Sequence, residues 1–207
     1  MITVYGRPTS ANVQKVLWCC DEMGLAVTQV PVGGPYGGTS EPQYLAMNPN
    51  ARVPTLVLDG FVLWESNAIL RFLARQFPEA GMLPQRLETA AIGEQWMDWQ
   101  LSVLSPAFAP LYIKLVREPA ESRRADEVEL LRRALADKFR LLDAHLDTNE
   151  FVAGNAFGIA DMALGVFAWR WLALPIQREA MPGLERWHAR LLEREGFRRR
   201  VVEIGLS

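Results

Sequence analysis

Residues 1–24 read MITVYGRPTSANVQKVLWCCDEMG, a short apolar run that gives way within a few residues to a helical pattern. Ile2 to Tyr5 has the length and β-branched content of a strand. Ser10 or Asn12 opens a helix whose apolar stripe is Val13, Val16, Leu17 and Cys20, and Gly24 closes it. The alternation continues with a strand at Ala26 to Val30 and a short helix near Pro42 to Met47. A strand at Thr55 to Leu58 then enters a hairpin that turns at Asp59-Gly60 and runs on through Leu63, and a helix follows from Ser66 to Gln76.

This order is the thioredoxin-like pattern, a mixed sheet with helices on both faces. Pro78 stops the last helix, and residues 78–86, with Gly81 between Pro78 and Pro84, read as a linker. From Leu87 onward only helical patterns occur. The clearest runs from about Arg123 to Leu146, with Val128, Leu131, Leu135, Phe139, Leu142 and Leu146 at steps of three and four. The fold class is therefore α/β plus all-α: a thioredoxin-like N-terminal domain over 1–77 and an all-helical domain over 87–207.

Composition narrows the function. With 207 residues, half of them hydrophobic, the chain can bury a sizeable core, and a net charge of -2 gives no basic footprint for nucleic acid. Arg198-Arg199-Arg200 reads as a solvated or helix-ending cluster. No apolar run reaches the roughly 20 residues of a membrane span, and the first residues form a strand rather than a signal peptide, so a cytoplasmic protein without a membrane partner is expected. Cys19 and Cys20 are adjacent, match no redox or zinc spacing, and at least one reads as a small core residue. His145 and His188, the two histidines, are far apart in predicted helices and support neither a metal site nor a Ser-His-Asp triad.

The turn after the first strand carries chemistry. A hydroxyl there sits beside unpaired backbone N–H groups and the positive end of a helix dipole, where an anion is favoured. Gly6 to Asn12 lacks the further glycines of a dinucleotide loop and the Gly-Lys-Ser/Thr of a phosphate loop, which leaves a thiolate. The competing reading is that Ser10 only caps its helix. A second segment weighs against that: Val53-Pro54 leads into a strand as a candidate cis peptide whose Val53 backbone can pair with an extended peptide. A third follows the hairpin, where Ser66 suits a helix N-cap beside a carboxylate and Glu65 suits an ammonium. A ligand with a thiol, a peptide bond and an amino-acid end group fits all three.

Ser10, Asn48-Pro49-Asn50-Ala51-Arg52-Val53-Pro54, Trp64-Glu65-Ser66-Asn67-Ala68-Ile69 and Phe157-Gly158-Ile159-Ala160-Asp161 together resemble the cytosolic glutathione transferases over essentially the whole chain. The resemblance is to bacterial members akin to the serine-using theta- and delta-like classes. It implies that Ser10 donates a hydrogen bond to the glutathione thiolate, with Thr9 and Asn12 as neighbouring donors. It implies glutathione contacts at Arg52, Val53, Pro54, Glu65 and Ser66. Members that exchange disulfides keep a cysteine at the Thr9-Ser10 turn, which this chain lacks. In some classes the donor is a tyrosine after the first strand, but Tyr5 lies inside the strand and reads as core. Gly158 replaces the family's Ser or Thr N-cap, leaving Asp161 and a Phe157 to Met162 contact to define that helix start.

The implied reaction is conjugation of glutathione, a co-substrate, to small hydrophobic electrophiles. The second substrate is expected against the helix from Leu87, near Phe108 and Tyr112, where Pro106 and Pro110 interrupt the helix. A homodimer in the cytoplasm, active in detoxification, completes the implied picture, with no metal. Two alternatives use the same residues: a glutathione-dependent isomerase, lyase or dehalogenase, and a non-catalytic glutathione-binding or interaction module.

Overall fold

The computed structural model describes residues 1–206, which form two compact units. The first comprises Met1–Leu83 together with Glu195–Gly205, the second Pro84–Arg194 with Leu206. The division falls between Leu83 and Pro84. The return of residues 195–205 to the first unit was not foreseen by a helical domain running to the C-terminus.

In the first unit, strand β1 (Ile2–Tyr5), helix α1 (Ala11–Glu22), β2 (Val27–Val30), α2 (Pro42–Met47), β3 (Thr55–Leu58), β4 (Phe61–Trp64) and α3 (Ser66–Gln76) follow one another in the expected order. The sheet order is β2-β1-β3-β4, with β1 parallel to β2 and antiparallel to β3, and β3 antiparallel to β4. Asp59 (φ 48°) and Gly60 (φ 90°) supply the two left-handed residues that the two-residue hairpin requires. Helices α1 and α3 pack on each other. Val4, Val16, Leu17, Leu56, Ile69, Leu70 and Leu73 fill the core.

Helix α1 is buried on more sides than its stripe implies. Gln14, Lys15, Trp18 and Cys19 are enclosed as well as Val13, Val16, Leu17 and Cys20. The cover comes from the C-terminal segment, a short helix α9 (Glu195–Phe197) continuing into a wide turn at Arg198–Val202. Phe197 lies 4.7 Å from Trp18, centroid to centroid, and a side chain on Gly196 would stand 3.0 Å from the Trp18 ring. Arg200 grips Asp21 with Nε to Oδ2 at 2.7 Å and Nη2 to Oδ1 at 3.0 Å, and Arg199 adds a contact at 2.9 Å. The basic triplet is therefore not simply solvated: two of its members clamp α1. Burial pushes the Asp21 carboxyl up, but hydrogen bonds from Arg200 and Arg199 outweigh it and hold it below its ordinary value.

The second unit contains α4 (Leu87–Trp99), α5 (Ser105–Tyr112), α6 (Ala125–Leu146), α7 (Ile159–Ala173) and α8 (Pro182–Leu192). Pro106 and Pro110 do not interrupt the helix as expected. The helical path continues from Leu87 to Arg117, with five-residue π-helical turns at Gln100–Leu104 and Ile113–Arg117 on either side of α5. A π turn shifts the acceptor of each N–H by one residue, so a proline without an N–H is carried inside a continuous helix. The buried Gln100 side chain donates to Ser105 Oγ across the first of these turns.

Helix α7 is the centre of this unit, with Ile159 to Trp171 buried throughout. At its start Asp161 is fully enclosed and accepts from the Val152 N–H (2.9 Å), the Gly158 N–H (2.9 Å) and Trp187 Nε1 (2.8 Å). The carboxylate half of the capping box is thus present although Gly158 has no hydroxyl. Burial raises the Asp161 carboxyl to about 6 despite the three donors. Phe157 packs edge-on against Phe151 and lies under the Arg194 guanidinium, 3.6 Å from the ring centroid.

Candidate active site

The strand register brings the three expected places to one end of the sheet. Tyr5 pairs with Val30 on one side and Thr55 on the other, and Thr55 pairs with Trp64. The next residue outward in each case is Gly6, Pro31, Pro54 and Glu65. The Gly6–Ser10 turn, the Val53-Pro54 turn and the head of α3 therefore leave the same sheet edge side by side.

A cavity of about 290 Å³ opens there, close to the small end of ligand pockets. Of the residues singled out from the sequence, Ser10, Asn12, Arg52 and Val53 line it. Ser10 occupies the N-cap of α1 with extended backbone (φ -78°, ψ 123°), yet its side chain makes no capping hydrogen bond. Its backbone does the local work instead: the amide donates to the Arg7 carbonyl at 3.2 Å and the carbonyl accepts from Gln14 at 2.9 Å. The capping role alone therefore does not account for this serine. Asn12 Oδ1 is buried without a hydrogen-bond partner in the structure. Thr9 is half-buried and does not line the cavity.

The Val53-Pro54 peptide is cis, as anticipated, and Pro54 is buried behind Val53. Among the described residues, neither backbone group of Val53 pairs with another backbone group. The loop before it is tied down by two residues that the sequence reading did not single out. Tyr44 Oη donates to the Arg52 carbonyl at 2.6 Å, and Asn48 Nδ2 reaches the same carbonyl at 2.8 Å and Thr55 Oγ1 at 3.1 Å. Burial raises the Tyr44 phenol, which keeps it a neutral donor. Asn48 Oδ1 accepts from the Asn50 N–H at 3.1 Å, which shapes the turn in which Ala51 takes a left-handed φ of 53°.

At the head of α3 the roles differ in detail from the expectation. Glu65, not Ser66, is the N-cap; it is exposed and holds a left-handed φ of 73°, a conformation that a non-glycine residue adopts at an energetic penalty and that clusters at functional sites. Ser66 is the first helical residue, 2% exposed, and its Oγ is buried with no hydrogen-bond partner. Neither residue lines the 290 Å³ cavity itself.

Five further lining residues were missed: Arg7, Gly33, Gly34, Thr39 and Ala51. Gly34 adopts φ 58°, and a side chain there would approach within 3.1 Å of Arg7 Cδ; one on Gly33 would come within 3.3 Å of Val53. The adjacent Gly33 and Gly34 were the available sequence signal, because consecutive glycines permit left-handed conformations and close backbone approach. Gly6 is equally constrained, since a Cβ there would lie 2.3 Å from Val13.

The other chemistry-bearing groups are structural. Burial raises the Cys19 thiol well above its ordinary value and Cys20 to about 12, so neither is a thiolate. His145 is hydrogen-bonded to the Val152 carbonyl and packs against Trp96, and burial lowers His188 to about 4. No cluster suited to a metal occurs among the described residues, and none of their helices is long and apolar enough to cross a membrane. Tyr5 packs edge-on against Tyr44. In the helical unit, Phe108 and Tyr112 are 3% and 4% exposed and stack on each other at 5.5 Å, with Phe167 against Phe108 and Arg170 over Tyr112.

Comparison with known proteins identifies the family. Residues 4–81 match the family model for the glutathione S-transferase N-terminal domain and residues 97–195 that for the C-terminal domain. The chain belongs to the glutathione S-transferase family. It is 36% identical over 209 residues to glutathione S-transferase GstB of Escherichia coli K12, covering the whole of both chains. It is 30% identical over 212 residues to glutathione S-transferase 3 of Zea mays, covering 99% of this chain and 95% of that one. Among solved structures, the theta class glutathione S-transferase of Xanthomonas axonopodis pv. citri with glutathione bound superposes with a TM-score of 0.92 at 40% identity, over 97% of this chain and 96% of that one. This enzyme is a transferase with a thioredoxin-like N-terminal unit and an all-helical C-terminal one.

Proposed function

We propose that this enzyme activates the thiol of glutathione at Ser10 and adds the resulting thiolate to small hydrophobic electrophiles. The observation that carries the reading is the Ser10 side chain: it lines the cavity at the head of α1 and spends no hydrogen bond on capping. A thiol of pKa near 8.5 is only about 3% ionised at pH 7, and lowering it by about two units corresponds to roughly 2.7 kcal/mol. One hydrogen bond to a charged acceptor contributes about 1.5–3 kcal/mol and a helix N-terminus about 0.3–1. A single hydroxyl on a helix head is sufficient.

In this reading Ser10 Oγ–H donates to the sulfur and does not itself attack; the sulfur is the nucleophile that displaces a leaving group or adds to a conjugated double bond. Asn12 and Thr9 are the secondary donors. The Val53 N–H and C=O pair with the cysteinyl peptide backbone as an added strand, with Pro54 setting the turn. Ser66 binds the glutamyl carboxylate at the N-terminus of α3, and Glu65 binds the glutamyl ammonium. Arg52, with Arg7 across the cavity, meets the glycyl carboxylate. Phe108 and Tyr112 back the apolar wall that receives the electrophile. By family likeness we place the enzyme in the cytoplasm as a homodimer. Conjugation of glutathione to an activated aryl halide, followed by absorbance on wild type and Ser10→Ala, tests the reading: a wild type that binds glutathione but turns over nothing would favour a binding module.

A further inference from the structure

A second cavity, of about 540 Å³, lies wholly within the helical unit, and the reading above uses none of its residues. It opens between the first two turns of α6 and the stretch 174–181 that joins α7 to α8. Ala125, Val128 and Ile176 give it an apolar lining beside four charged side chains. Three of these four are matched: Arg132 donates to both oxygens of Glu129 at 2.7 and 2.8 Å, and Arg140 to both oxygens of Glu179 at 3.0 and 3.1 Å. The fourth, Arg178, forms no ion pair among the described residues.

What Arg178 does make is two bonds from one nitrogen. Nη1 donates to the Leu174 carbonyl at 2.7 Å and the Trp171 carbonyl at 3.2 Å, acceptors that the end of α7 leaves open. Capping occupies both hydrogens of Nη1 and fixes the side chain, but it leaves the Nε–Nη2 edge unused. That edge makes no hydrogen bond among the described residues, and its nitrogens are not enclosed. It presents two parallel N–H groups, the fork that meets both oxygens of a carboxylate. Burial pushes Arg178 below its ordinary value, and Glu185 opposes this without pairing with it, so a bound anion would offset the cost of enclosing the charge. We propose that this cavity is a second binding site, for a small amphipathic carboxylate whose acid group takes the Nε–Nη2 edge of Arg178 and whose apolar body lies on Val128 and Ile176. The two cavities share no residue, so the inference does not rest on the glutathione reading.

The test titrates the full chain with 2-naphthoate and with its neutral counterpart 2-naphthamide by calorimetry, with and without S-hexylglutathione to occupy the thiol site. One naphthoate per chain is expected, equally tight in both conditions, with the amide about tenfold weaker, the scale of one charge-assisted contact. Arg178→Gln should weaken naphthoate about tenfold and leave the amide little changed. Ala125→Phe, at an exposed position that lines the cavity away from the α7 cap, should exclude both compounds with thermal stability and transferase kinetics retained. If Arg178→Gln does not fold, Ala125→Phe decides. Naphthoate binding that S-hexylglutathione displaces, that the amide matches, or that survives Ala125→Phe would overturn the inference, as would no binding at all, and none of these outcomes touches the transferase reading.

Discussion

The heads of α7 and of α1 and α3 both carry buried polar side chains, and they treat them oppositely. At α7, Asp161 accepts three hydrogen bonds from Val152, Gly158 and Trp187. At α1 and α3, Ser10 makes no capping bond, and Asn12 Oδ1 and Ser66 Oγ are enclosed without partners. Since most buried polar groups in folded proteins are paired, the two arrangements have different meanings. The first is completed by the chain and serves folding; in the function proposed above, the second is completed by the ligand.

The largest effect that could break this contrast is Asp161→Ala. It leaves three enclosed donors unpaired, and a loss of about 3–5 kcal/mol in urea unfolding of the helical unit is expected. Its pH dependence has a defined sign. Burial raises the folded carboxyl from 3.8 to about 6, so the stability favouring the protonated form is fully present below pH 3.8 and lost as pH rises through 6. Across that window wild type should lose stability relative to Asp161→Asn by up to about 1.4 kcal/mol per pH unit. Parallel curves would show that Asp161 is not held as described.

On the open side, Ser10→Ala is expected to leave unfolding free energy within about 0.5 kcal/mol, because no capping bond is removed. Its kcat/KM should fall by 10- to 150-fold, the equivalent of about 1.5–3 kcal/mol. Ser66→Ala should raise the glutathione KM by about tenfold with kcat nearly unchanged, the mark of lost ground-state binding. A large stability loss in either variant would erase the distinction between the two regions.

The smallest expected effect lies in the clamp on α1. Arg200→Ala should lower stability by about 0.5–1 kcal/mol, since Arg200 is partly exposed while Asp21 is nearly enclosed. Because the folded Asp21 carboxyl is depressed, that contribution is present above its ordinary value of 3.8 and disappears as pH falls below it. Chemical denaturation of the variant at neutral and acidic pH checks both size and sign.

These contrasts also mark what the sequence could reveal. Helices α2 and α3 begin and end where Pro42, Ser66 and Pro78 signal, and the hairpin turns at Asp59-Gly60, because such residues act through their own φ and hydrogen-bonding groups. The cavity-lining turn at Gly6 to Asn12 and the cis Val53-Pro54 peptide were legible for a related reason: each is a short segment with distinctive chemistry. Contacts made across long separations were not. The burial of Trp18 depends on Phe197, and the fate of Arg199 and Arg200 on Asp21, nearly the whole chain away. Arg7, Gly33 and Gly34 became site residues only when β1 and β2 placed their loops together. Pro106 and Pro110 suggested a broken helix because periodicity does not register a π turn.

The central claim is that the open hydroxyl at Ser10 exists to hold a thiolate. Ultraviolet absorbance of the thiolate of bound glutathione, titrated across pH on wild type and Ser10→Ala, tests it most directly. The account predicts a bound thiol pKa more than about one unit below 8.5 in wild type and a return toward that value in Ser10→Ala. A bound thiol with an unshifted pKa in wild type, or a shift that survives removal of the hydroxyl, would contradict it.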